Sequence, residues 1–110
     1  MKTGELKDRA LDWAVAKCMG QENCWMHDYK IGYPVSISTD WSKAGPIIER
    51  IKGFQFKQWL ESHPESCCEA HIHNYEGDWV QFGPTPLIAA MRCYVASKLG
   101  DEVEVPEELQ

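Results

Sequence analysis

The chain lacks the local signatures by which many enzymes announce themselves. It holds no G-x-S-x-G elbow, no Walker glycine loop, no dinucleotide-binding glycine pattern and no H-E-x-x-H pair. An enzyme is therefore the minority expectation, and no cofactor is implied. Basic residues are also scarce, with 11 Lys and Arg against 17 Asp and Glu for a net charge of −6, and they are scattered along the chain. That removes the usual electrostatic footprint of a DNA or RNA binder. The acids make no dense array suited to mimicking nucleic acid. Only Asp101-Glu102-Val103-Glu104 with Glu107-Glu108 is concentrated, and it reads as a solvated terminus.

Long apolar runs are missing too. The longest, Pro86 to Met91, is cut by Arg92 and falls far short of the roughly 20 residues that span a bilayer. Met1-Lys2-Thr3-Gly4-Glu5 leads into no apolar signal core, and the five cysteines form an odd set without a framework. The expectation is a protein of a reducing cytoplasm with no membrane role. At 110 residues the chain has the size of one domain, 1–110, with an acidic tail from about residue 101.

The expected fold is α+β. Thr3 as N-cap and the helical spacing of Ala10, Leu11, Ala14, Val15 and Cys18 predict a helix from about Gly4 to Met19. From Gln21 to Pro34, Asn23, Gly32 and Pro34 break any period while Trp25, Met26, Tyr29, Ile31 and Tyr33 supply bulk, so an ordered loop is expected. Ser38-Thr39-Asp40 offers cap chemistry before Trp41. Pro46 to Ile51 can form a short helix ended by Gly53, with Gly45-Pro46 separating two turns.

Phe54 to Leu60, Cys67 to Tyr75 and Asp78 to Phe82 alternate like strands. A turn at Glu76-Gly77 would join the last two as a hairpin and set Val80 beside His73 and Phe82 beside His71. Thr85 as N-cap, Pro86 in the first helical position, an apolar run to Ala96 and Gly100 just beyond define the clearest helix. The expected architecture is a small antiparallel sheet, a hairpin plus about one further strand, packed on an N-terminal helix and a buried C-terminal helix.

Cys24-Trp25-Met26-His27 and Cys68-Glu69-Ala70-His71 share a C-x2-H spacing, and thiolate with imidazole suits tetrahedral zinc. On a strand, however, Cys68 and His71 point to opposite faces. Cys67, His71 and His73 do share a face, and they are the residues a small metal- or thiol-dependent enzyme would use. Ordinary buried thiols and sheet histidines are the main expectation, so no metal is assigned.

Arg92 is the only charged side chain between Leu87 and Ala96, so it must snorkel, pair with an acid such as Asp40 or Glu49, or offer its fork to a bound carboxylate or phosphate. Among five tryptophans, Trp41 and Trp79 neighbour Gly45-Pro46 and Gly83-Pro84, where a flat ligand could approach. Free amides at the Thr85 helix start could meet an anion.

Three blocks carry a resemblance. They are Ala10-Leu11-Asp12-Trp13-Ala14-Val15-Ala16; Ser38-Thr39-Asp40-Trp41 with Gly45-Pro46-Ile47-Ile48-Glu49; and Gly83-Pro84-Thr85-Pro86-Leu87-Ile88-Ala89-Ala90-Met91-Arg92. In these, and in the tail from Leu99 to Pro106, the chain resembles the NinX family of lambdoid phages and prophages. The stretch from Gly53 to about Gly77 is not part of the resemblance. It implies a phage-encoded accessory protein made in the host cytoplasm and brings no catalytic residues.

The expected function is a non-enzymatic binding module that sequesters a small anionic, nucleotide-like ligand or docks on a host protein, with homo-oligomers allowed. The candidate ligand-binding residues are Asp40, Trp41, Glu49, Trp79, Thr85 and Arg92.

Overall fold

The structure, a computed structural model, describes residues 1–58 and 68–110. Among the described residues four helices and three strands follow one another as α1 (Asp8–Cys18), α2 (Glu22–Ile31), α3 (Trp41–Arg50), β1 (Phe54–Gln58), β2 (Cys68–Asn74), β3 (Gly77–Gly83) and α4 (Pro86–Leu99). Short 3-10 turns lie at Thr3–Glu5 and Glu107–Leu109. The fold is α+β, with the helices packed against an antiparallel sheet ordered β1-β2-β3. The expected continuation of the first strand to Leu60, together with Trp59 and Cys67, lies outside the described residues.

The helix α4 organises the core. Its N-terminus is closed by the Thr85 hydroxyl, which accepts from the Ile88 amide at 3.1 Å, and Gly100 follows its last turn with φ 87°. Every residue from Ala89 to Ala96 is buried. A helix that is apolar nearly all round needs cover on most sides. The sheet covers one side through Cys68, Ala70 and Ile72, while α1 covers another through Leu11, Ala14 and Val15.

Period-two alternation then divides the sheet into two faces. Cys68, Ala70 and Ile72 of β2 are buried, whereas Glu69, His71 and His73 between them are more open. On β3 the outward positions are Asp78, Val80 and Phe82.

Four local expectations change. Thr3 does not cap a helix, because its hydroxyl donates to the Gly100 carbonyl at 2.6 Å and its amide donates to the Asp101 carbonyl at 2.8 Å. These long-range bonds tie residues 1–6 to the end of α4, so α1 begins only at Asp8. The expected loop from Gln21 to Pro34 contains α2. Trp25 and Tyr29, one turn apart, stack with centroids 5.2 Å apart, and Gly32 stops the helix in the left-handed conformation at φ 90°.

α3 runs through Gly45-Pro46 instead of breaking there. Asp40 caps it by accepting from the Ser42 amide at 3.0 Å, and buried Ala44 and Ile47 hold its inner side across the proline. Finally, the acidic tail is not simply solvated. Val103, Val105 and Leu109 are buried while Glu102 and Glu104 stay exposed, an alternation that pins the tail against the core.

The hairpin register also differs from expectation. Asn74 pairs with Gly77, so the turn residues are Tyr75 and Glu76. The Asn74 side chain fixes this turn by accepting from the Glu76 amide at 2.8 Å. His73 therefore sits opposite Asp78, and His71 opposite Val80.

Candidate functional site

A cleft of about 390 Å³ lies between the end of α3, the second half of α4 and the β2–β3 hairpin. Its floor is apolar, made by Met19, Ile47, Ile51 and Ile72, and its walls carry the aromatic rings of Trp79, Tyr94 and Tyr75. Arg50, Lys52 and Lys98 add three cations against the single carboxylate of Glu76. In a chain of charge −6, this is a local reversal of sign.

Each element contributes for a local reason. α3 ends at Arg50, so its last turn delivers Ile47 to the floor and Arg50 to the rim, and Lys52 follows before β1. The last turn of α4 supplies Lys98. Trp79 points inward from β3, and Gly77 on the same face gives its indole room, since a β-carbon at Gly77 would meet Trp79 Cη2 at 2.8 Å. Burial raises the Tyr94 phenol above its ordinary value, assisted by the neighbouring Cys18 and opposed by Arg50. At neutral pH that hydroxyl stays protonated and can donate a hydrogen bond. Among the described residues Arg50, Lys52 and Lys98 have no acidic partner within ion-pairing distance.

The six candidate residues fall in different places. Trp79 lines the cleft. Asp40 caps α3, Trp41 is exposed beside it, and Glu49 lies exposed in the last turn of the same helix. Thr85 caps α4 at the end away from the cleft, so the amides there do not face it. Arg92 is buried, donating from Nε to the Leu6 carbonyl at 2.7 Å and from an Nη to the Phe82 carbonyl at 2.8 Å. Its fork thus serves backbone acceptors on two other segments. Sequence reasoning missed Arg50, Lys52, Tyr94 and Lys98. The spacing of Tyr94 and Lys98, four apart on α4, was the available signal for one wall of the cleft.

The cysteine and histidine residues also separate. Cys68 is buried towards α4 while His71 lies on the outer sheet face, as period two predicts. Cys24 and His27 are exposed on α2. His71 and His73 converge instead on Asp78: the His71 Nε2 and the His73 Nδ1, the latter at 3.2 Å, both contact its Oδ1.

The fold and cleft define a small α+β protein whose conspicuous concavity is aromatic and cationic. A family model described as bacteriophage P22 NinX matches residues 2–98, and the chain belongs to that family of phage proteins. The matched range includes the stretch from Gly53 to Gly77 as well as His71, His73 and Asp78, and it ends at Lys98, before the tail. No curated protein matches the chain. No helix among the described residues is long and apolar enough to cross a membrane.

Proposed function

We propose that this phage protein is a non-enzymatic binding module whose cleft holds a small anionic ligand with a flat ring, of the nucleotide class. The observation that carries the reading is the combination of Trp79 and Tyr94 with the three cations Arg50, Lys52 and Lys98 in one concavity. Ligand sites are mostly apolar with a few convergent polar groups. Aromatic rings suit a base, and guanidinium or ammonium groups suit a phosphate. Of the residues named from sequence alone, Trp79 stays in this site, while Arg50, Lys52 and Lys98 take the anion-binding role first considered for Arg92. Acting as a phage accessory protein, such a module would withdraw a ligand in the host cytoplasm.

Native mass spectrometry of the purified protein, followed by thermal shift and calorimetry with nucleoside mono-, di- and triphosphates, tests this directly. Saturable binding is expected, weakened about tenfold or more by Arg50→Ala or Lys98→Ala, since a charge-assisted hydrogen bond contributes about 1.5–3 kcal/mol. A protein that carries no small molecule and shows no stabilisation by any of these nucleotides would end the proposal. Docking on a host protein is a second reading. It is supported by Val80 and Phe82, which are both exposed on the outer face of β3.

A further inference from the structure

The hairpin brings together a second group of side chains, on the sheet face opposite the cleft. Two imidazoles two residues apart on a strand share a face. Asp78 is the direct cross-strand partner of His73, and residues opposite one another hold their β-carbons about 4.5–5.5 Å apart. His71 reaches the same carboxylate along the diagonal, a distance that a long ring spans. The three potential donor atoms, one from each side chain, lie within 4.8 Å of one another.

We propose that His71, His73 and Asp78 form a binding site for a divalent first-row transition-metal ion, zinc foremost. Nitrogen and carboxylate ligands bind zinc at about 2.0–2.2 Å, which sets their donor atoms roughly 3–3.5 Å apart. His73 Nδ1 and Asp78 Oδ1, at 3.2 Å, already have that separation. Small side-chain rotations therefore admit an ion. The side chains of His73 and Asp78 are 71% and 58% exposed, so solvent completes the coordination, as in three-ligand zinc sites with an open position. The chemistry is distinct from a Cys-His chelate, because Cys68 faces the other way. It also stands apart from the cleft, which uses the inward residues Ile72 and Trp79 of the same two strands. Either site can fail without the other.

The test is calorimetry of the chelator-treated full chain with Zn2+, paralleled by Co2+ titration read through histidine ring signals by NMR. One ion per chain is expected, with ring signals of His71 and His73 displaced and that of exposed His27 unmoved. Asp78→Asn, His71→Ala and His73→Ala should each lower affinity about tenfold or more, the scale of effects seen at metal sites. All three positions are on an open face, and circular dichroism of each variant checks that the fold is kept. Absence of saturable binding would overturn the site, as would binding that survives all three substitutions or follows Cys24 and His27 instead.

Discussion

Arg92 and Phe82 are joined by a hydrogen bond of 2.8 Å from the guanidinium to the Phe82 carbonyl, which fastens the end of β3 to the middle of α4. Through Nε the same side chain holds the Leu6 carbonyl at 2.7 Å, so one buried cation links three segments that are far apart in sequence. Replacing it strands buried acceptors as well as removing bonds. Arg92→Met should therefore cost about 2–4 kcal/mol of stability, measured by urea unfolding. Arg92→Lys keeps the charge but not the fork, and should recover only part of that loss. Neither change should alter nucleotide affinity of the folded protein, because Arg92 is not in the cleft.

Asp12 has a comparable role at the other end of the core. Its Oδ1 accepts from the Ile37 amide at 3.0 Å and the Ser38 amide at 2.7 Å, holding the connection between α2 and α3 against α1. Asp12→Ala leaves two buried amides without that acceptor and should destabilise by about 2–4 kcal/mol. Asp12→Asn retains an acceptor oxygen and should lose roughly half as much. Thermal unfolding of the two variants side by side checks the order.

The helix α4 was legible because its signals are local: a capping hydroxyl, a proline at the first position and an apolar run ended by glycine. α2 was not, because only Trp25 of its ten residues is buried and Gly32 reads as an interruption rather than a stop. The Thr3 cap was misassigned for a different reason, since its partners lie about a hundred residues away at Gly100 and Asp101. Of the cleft, only Trp79 was anticipated. Arg50, Lys52 and Lys98 look like ordinary surface charges until the fold sets α3 against the end of α4. The His71 and His73 face was read correctly, but its acid partner depended on a turn displaced by one position, which moves the pairing by two residues and brings Asp78 opposite His73.

Gly53 should be intolerant of any side chain. Its φ of 79° is left-handed, and an added β-carbon would fall 1.9 Å from the His73 carbonyl oxygen. The Gly53 carbonyl also accepts from the His73 amide at 3.0 Å, so no retreat is possible without opening the β1–β2 edge. Gly53→Ala should lower stability by about 2 kcal/mol or more. Amide exchange of His73 should accelerate in that variant. If Zn2+ binds as proposed, its affinity should fall as well, because His73 is displaced.

The thiols offer a pH-dependent check on the core. Burial pushes Cys18 and Cys93 from 9.0 up to about 12, and the Cys93 thiol donates to the Trp79 carbonyl at 3.2 Å. At pH 8 these two, together with buried Cys68, should resist alkylation while exposed Cys24 reacts before them. Mass spectrometry of the labelled peptides reads this order. The same shifts bear on stability. Because the folded values exceed the unfolded ones, the folded state keeps protons that the unfolded chain releases once pH passes about 9. The contribution is whole below that pH and is lost progressively as pH rises towards 12. Melting temperature should therefore fall on the alkaline side. Cys18→Ser, which removes one of the two shifted thiols, should make that fall shallower.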